Sequence, residues 1–280
     1  MSEDGILKKA VVAGNRQIAN GIYSLVLFAP DLAMAARPGQ FAMISVSGGA
    51  DPFLRRPFSF AGIDQSAGTV CFIYQITGRG TASMSGWETN RQTDILGPLG
   101  NGFSWDESLG LAILAGGGLG IAPLLPFAKE LRLQGIETAV FAGAKSRDLL
   151  LGLPQFSEYG CEIRVATEDG SGGAAGFITG PLEEYMSARF PLSPSAADHA
   201  GQSAERGLFA CGPTLFLKAV AGLCVKYKLN AQLSMEERMG CGFGVCMGCS
   251  IETRAADGAA NRKRVCRDGP VFAAGEVFYG

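Results

Sequence analysis

The chain has 280 residues, 47% of them hydrophobic, with 24 Lys and Arg against 26 Asp and Glu. That length carries two domains or slightly more, with enough apolar residues for a core in each. A net charge of −2 supplies no cationic face, which argues against nucleic acid as a partner.

The opening stretch, MSEDGILKKAVVAGNRQ, lacks an apolar core of the length a secretory signal needs, so the cytoplasm is the expected location. Residues 1–103 read as short strands. YSLVLFA, QFAMISV, FSFAGI and TVCFIYQIT are rich in β-branched and aromatic residues and are separated by Pro, Gly, Asp or Ser. They predict an antiparallel β-barrel. Within it, LRRPFSFAG puts Arg56 and Phe58 on one face of a strand by the period of two. Such a pair suits a pyrophosphate and a stacked ring, with Ser59 available to a flavin ring nitrogen. An edge strand with an exposed arginine accounts for the same letters. Gly78-Arg79-Gly80-Thr81 then precedes a short helical pattern, as in a helix start that takes a diphosphate. A hairpin turn is the plainer account.

Residues 104–233 change character. LGLAILA, ETAVFAGA, CEIRVATE and GLFACG are buried-strand runs, and PLLPFAKELRLQG and TLFLKAVAGLCVKYK are helical patterns between them. The alternation predicts a parallel α/β sheet that binds a dinucleotide. Residues 109–128 carry no charge and are long enough for a membrane span. Their glycines and two prolines predict instead a strand, a tight loop and a helix start, so no membrane is expected. Gly116, Gly117, Gly118 and Gly120 let that loop approach a phosphate, although the spacing is not G-x-G-x-x-G. Cys211-Gly212-Pro213 ends a later strand of the same sheet, where a small residue such as Cys211 suits contact with a nicotinamide ring. A small buried residue before a turn has the same signature. Ser146, Arg147 and Asp148 follow the second strand and leave NAD against NADP open. Residues 188–206 are Ala-, Ser- and Pro-rich without periodicity and read as an exposed loop. The one histidine, His199, lies there, which removes any Ser-His-Asp proposal.

Residues 234–280 form a third, cysteine-bearing module. Cys71, Cys161 and Cys224 lie elsewhere, in apolar segments, and read as buried fillers. The remaining four of note follow Cys241-x4-Cys246-x2-Cys249-x16-Cys266, the plant-type [2Fe–2S] spacing. Gly240, Gly242, Gly244 and Gly248 leave room for sulfur and expose N–H groups to it. Structural zinc normally takes two close ligand pairs, and only Cys246 and Cys249 form one here. A flavin site, a dinucleotide site and a cluster form a short wire: the dinucleotide gives two electrons as hydride, the cluster takes one at a time, and a flavin does both.

RRPFS, YQITGRGT, ILGPLGNGF, GGGLGIAPL, ATEDGS, CGP and MEERMGCGFGVCMGC occur in this order over nearly the whole chain. Together they resemble the electron-transfer subunits of heteromeric NAD-linked dihydroorotate dehydrogenases, in the ferredoxin–NADP reductase superfamily. The resemblance implies FAD held by Arg56, Pro57, Phe58 and Ser59, by Ile73, Tyr74 and Gln75, and by Gly80 and Thr81. It implies NAD(H) and one [2Fe–2S] cluster ligated by Cys241, Cys246, Cys249 and Cys266. It also implies an FMN-bearing catalytic subunit, in a heterotetramer with two of each chain, within pyrimidine (UMP) synthesis. A related flavin and iron–sulfur reductase subunit, of sulfide dehydrogenase or transhydrogenase type, shares the first two domains.

Overall fold

In the computed structural model, residues 7–46, 51–190, 205–255 and 257–278 are described. The chain forms two compact units. One comprises Met1–Gly102, Glu236–Glu252 and Arg262–Val271; the other comprises Phe103–Met235, Thr253–Asn261 and Phe272–Gly280.

The first unit is built on β1 (Leu7–Ala19), β2 (Ile22–Phe28), α1 (Pro30–Ala35), β3 (Phe41–Ile44), β4 (Arg56–Ser59), β5 (Gly62–Asp64), β6 (Thr69–Gln75), α2 (Arg79–Ser85) and β7 (Gln92–Leu99). The strands pair antiparallel in the order β4-β3-β7-β1-β2-β6-β5. Alternation drives this: along β6, Val70, Phe72 and Tyr74 are buried, while Thr69, Cys71 and Ile73 are half-buried and Gln75 is exposed. The buried faces meet in a core that includes Val12, Leu25, Leu27, Ile44, Phe60 and Phe72. The sheet curls on itself, because the Phe58 ring on β4 lies 6.4 Å from Phe72 and 5.8 Å from Tyr74 on β6. β1 and β7 add to the four strand runs read from the letters. β1, LKKAVVAGNRQIA, is interrupted by bulges at Val12/Gly14 and Gln17/Ala19, which break the strict alternation a sequence pattern needs.

The second unit begins with β8 (Leu109–Gly117), a 3-10 turn (Gly118–Ile121) and α3 (Leu124–Leu133). It continues with β9 (Glu137–Ala144), α4 (Leu153–Glu158), β10 (Glu162–Thr167), β11 (Ala174–Ala175), α5 (Thr179–Arg189), β12 (Glu205–Cys211), α6 (Thr214–Tyr227) and β13 (Asn230–Ser234). The tail, divided between the two units, adds β14 (Ser250–Arg254), β15 (Ala260–Arg264), α7 (Val265–Asp268, in the first unit), β16 (Val271–Ala273) and α8 (Ala274–Val277, in the second). The sheet order is β11-β10-β9-β8-β12-β13-β16, parallel from β11 through β13, and β14 pairs with β15 separately. The uncharged stretch 109–128 is divided among β8, the 3-10 turn and the start of α3, and no helix among the described residues is long and apolar enough to cross a membrane.

The loop expected at 188–206 is trimmed at both ends. α5 runs through Arg189, which pairs with Glu137 at 2.9 Å and stacks on Tyr185, and β12 starts at Glu205. His199 lies outside the described residues. Of the three cysteines read as buried fillers, Cys224 is buried, while Cys71 and Cys161 are only half-buried.

Candidate cofactor and cysteine sites

The β3–β4 pair carries the first candidate site. Its register sets Ile44 opposite Arg56, Met43 opposite Pro57, Ala42 opposite Phe58 and Phe41 opposite Ser59. Alternation puts Arg56 and Phe58 on one face and Pro57 and Ser59 on the other. Phe58 leans on the core, half-buried, and Arg56 reaches α2. A Cβ at Gly80 would lie 3.1 Å from Arg56 Nε and 3.2 Å from Val46, so the guanidinium lies close against the first turn of α2, where a side chain would crowd it. Thr81 is buried there; its Oγ1 accepts from the N–H of Thr77 at 2.9 Å and of Gly78 at 3.3 Å. Arg56 Nη1 donates to Leu54 O at 2.5 Å, which aims the fork. The structure thus brings Arg56, Gly80 and Thr81 together, a cationic fork beside a glycine turn. On β6, Tyr74 points into the core, stacked on Tyr23 at 5.6 Å with its hydroxyl on Asn15 at 3.1 Å. Burial holds that phenol up at about 12. Ile73 and Gln75 take the other face of the strand.

The second site lies where the strand order reverses, between β8 and β12. Connections leave these two strands in opposite directions, which opens a crevice at their carboxyl ends. Gly116 and Gly117 end β8, and Gly118 turns at φ +57 with nothing within 4 Å of the place a Cβ would take. Gly120 is packed against β12: a Cβ there would lie 2.3 Å from Cys211 O and 2.6 Å from Gly212 Cα. Cys211 sits opposite Gly116 in the sheet register. Two motifs about 90 residues apart in the letters therefore share one strand-end crevice. Backbone meets backbone at Gly120, while the Phe216 ring and Pro213 lie 3.2 Å from the place a Cβ at Gly117 would take, so the glycines leave backbone N–H groups open beside an apolar wall. Beyond β9, Arg147 N–H donates to Ser171 Oγ at 2.8 Å, and Asp169 accepts from Ser171, which holds its carboxyl below the ordinary value.

The four candidate ligand cysteines belong to the first unit and form two pairs. The Cys246 N–H donates to Cys241 Sγ at 3.4 Å, and the Cys266 N–H donates to Cys249 Sγ at 3.4 Å. Among the described residues, no three Cys, His, Asp or Glu side chains gather around one point as a single metal ion needs. Burial works against ionisation of Cys241. Hydrogen bonds from the backbone of Cys246, Phe243 and Val245 outweigh it and bring the thiol down to about 6. Cys266 is pushed up to about 12 by burial and by its neighbour Cys249. Gly240 and Gly248 flank Cys246, where a Cβ would lie 3.3 Å and 3.6 Å from its Sγ.

Contacts that the sequence did not announce hold these loops. Arg264 donates to Gly244 O at 3.0 Å and forks onto Asp268, Nε to Oδ2 at 3.0 Å and Nη2 to Oδ1 at 3.1 Å. That pairing lowers the Asp268 pKa. The return segment is seated on the sheet, since Asn101 N–H donates to Gly269 O at 2.6 Å and Asn101 Nδ2 to Asp268 O at 3.1 Å.

Residues 236–278 match the iron–sulfur cluster binding domain of dihydroorotate dehydrogenase B. The chain is 35% identical over 270 residues to the electron transfer subunit of dihydroorotate dehydrogenase B (NAD(+)) of Bacillus mycoides strain KBAB4, covering 95% of this chain and 96% of that one. The corresponding subunit of Bacillus anthracis strain CDC 684 / NRRL 3495 gives the same identity and coverage. Among solved structures, the NADH-dependent reduced ferredoxin-NADP oxidoreductase studied for flavin-based electron bifurcation superposes with TM-score 0.79 and 26% identity, over 100% of this chain and 92% of that one. A ferredoxin NADP+ reductase from Neisseria gonorrhoeae, solved with bound FAD and NADP, shares the fold at TM-score 0.63 and 16% identity, over 80% of this chain and 92% of that one. With the two paired-cysteine loops, the glycine-walled crevice and an identity of 35% along 95% of its length, the chain belongs to the family of dihydroorotate dehydrogenase B electron transfer subunits.

Proposed function

We propose that this chain passes electrons between NAD(H) and a catalytic partner that interconverts dihydroorotate and orotate, using one FAD and one [2Fe–2S] cluster. The observation that carries the reading is the pairing of Cys241 with Cys246 and of Cys249 with Cys266. Two iron atoms, each taking two thiolates, suit two sulfur pairs better than one tetrahedral ion does. A flavin bound here would supply the exchange between two electrons carried as hydride by the nicotinamide and single electrons carried by a cluster.

The residues divide the work. Arg56, beside Gly80 and Thr81, meets a diphosphate, and Ser59 orients the ring edge, with Pro57 and Phe58 shaping the strand. Gly116, Gly117, Gly118 and Gly120 take the dinucleotide diphosphate, and Cys211, Gly212 and Pro213 bound the nicotinamide end. N–H groups of the cysteine loops hold the sulfurs. Phe243, Val245 and Met247 are exposed around the exposed Cys246, at 43%, 71% and 54% of full exposure. This apolar rim suits a protein partner. That the partner carries FMN, that two copies of each chain form a heterotetramer in the cytoplasm and that the reaction serves pyrimidine synthesis rests on the family resemblance.

The three sites assigned above take FAD, a dinucleotide and a cluster, and none of them is an orotate pocket. NADH formation from dihydroorotate is therefore expected only when the FMN-bearing partner is added, while the chain alone reduces artificial acceptors with NADH. Dihydroorotate turnover by the purified chain alone would overturn the division of labour. The likeness to the NADH-dependent reduced ferredoxin-NADP oxidoreductase supports a second reading, a ferredoxin-linked reductase subunit. Failure of the FMN-bearing partner, with success of ferredoxin and NADPH-linked partners, would favour it.

A further inference from the structure

Gly242 stands directly after Cys241 and takes φ +83. A Cβ there would lie 2.5 Å from Met43 Cγ and 3.0 Å from its Sδ. Met43, fully buried in β3, is thus the seat on which the loop backbone rests. It sits opposite Pro57, and Phe41 sits opposite Ser59, so these four side chains share one face of the β3–β4 pair. Ala42 and Ile44 take the other face and join the core, against which Phe58 packs. The strand pair with the candidate flavin residues and the loop with the first cysteine pair therefore meet at one side chain. From its far side the loop is wedged as well: a Cβ at Gly244 would lie 2.6 Å from Arg267 Cδ.

We infer that Met43 is a positioning residue for electron transfer, the packed contact that sets the separation between the flavin-binding strand pair and the Cys241–Cys246 loop. The inference rests on the cofactor reading above and extends it to a residue outside both binding sets. Electron transfer falls steeply with an empty gap and less steeply through packed atoms. A thioether is unbranched and polarizable, so it conforms to a backbone as few side chains do. A close-packed interior passes a displacement of the seat on to the loop instead of absorbing it.

The test uses the full chain loaded with FAD and cluster. Met43→Ala is expected to keep its flavin content and the rate of flavin bleaching by NADH. Reduction of its cluster should slow by roughly tenfold or more, since small misplacements are costly in rate. The electron paramagnetic resonance spectrum of the reduced cluster should shift, and Met43→Leu should restore both readouts. Gly242→Ala places a methyl against Met43 at a φ that strains any side chain, so it should disturb the cluster spectrum, and the part that Met43→Ala relieves in the double variant is the part due to Met43. Should Met43→Ala fail to fold, Met43→Val supplies the truncated seat in both the single and the double variant. Wild-type protein that loads neither flavin nor iron would overturn the cofactor reading. Normal loading, with spectrum and cluster-reduction rate unchanged in Met43→Ala or a spectrum unchanged in Gly242→Ala, would overturn the role of Met43 alone.

Discussion

Cys266 lies 17 residues beyond Cys249, yet its N–H reaches the Cys249 sulfur, and Val265 N–H donates to Cys249 O at 3.0 Å. Cys266→Ser should therefore cost the cluster while FAD stays, which iron and labile sulfide content and the visible spectrum report. Cys224→Ser should change neither, because Cys224 is buried in α6 with its thiol pushed up to about 12 by burial alone. Arg56 and Ser59 lie on opposite faces of β4, so their losses should differ in kind. Arg56→Ala removes a charged partner for phosphate and should weaken FAD retention by about 1.5–3 kcal/mol. Ser59→Ala should slow flavin reduction by NADH more than it weakens FAD binding. Equal and negligible effects in flavin titration and stopped-flow would place that strand away from flavin. The cysteines were readable because their spacing has few other uses. Met43 was not, because an apolar letter in an apolar strand is the same letter whichever backbone lies on top of it.

At the scale of elements, the cysteine loops depend on a clamp. Arg264 at the end of β15 joins Gly244 O to the Asp268 carboxylate at the end of α7. Because the pair lowers the Asp268 pKa, its stabilisation is fully present above the ordinary carboxylate range and is lost as pH falls through the lowered value. Asp268→Asn should thus lower the urea midpoint at neutral pH and converge with wild type in acid, below the depressed pKa. A constant difference at every pH would show that the carboxylate's charge is irrelevant to the clamp. β2, β6 and α6 were legible in the letters because each carries one clean period between turn residues, and β8 and β9 because each is a short apolar run bounded by glycine or polar residues. β1 was hidden by its bulges, and β11 has two residues, too few for any period.

Across the whole molecule, the cysteine-bearing segments Glu236–Glu252 and Arg262–Val271 gather with Met1–Gly102, although the chain passes through the parallel sheet in between. Their supports, Met43 under Gly242 and Gly100–Asn101 under Asp268–Gly269, come from that first unit. A fragment of residues 234–280 treated with iron and sulfide is therefore expected not to retain a cluster that the full chain holds. A stable, fully loaded fragment would show that these supports are dispensable. The sequence alone determined the two kinds of sheet, the glycine turns and the ligand spacing, because strand periodicity, glycine and clustered thiols are local properties written within a few residues. Only the tertiary structure decided which distant segments meet: Gly120 on Cys211, Gly80 on Arg56, Gly242 on Met43. Each is a backbone lying where a side chain would otherwise be, and a glycine's letter tells that something comes close without telling what.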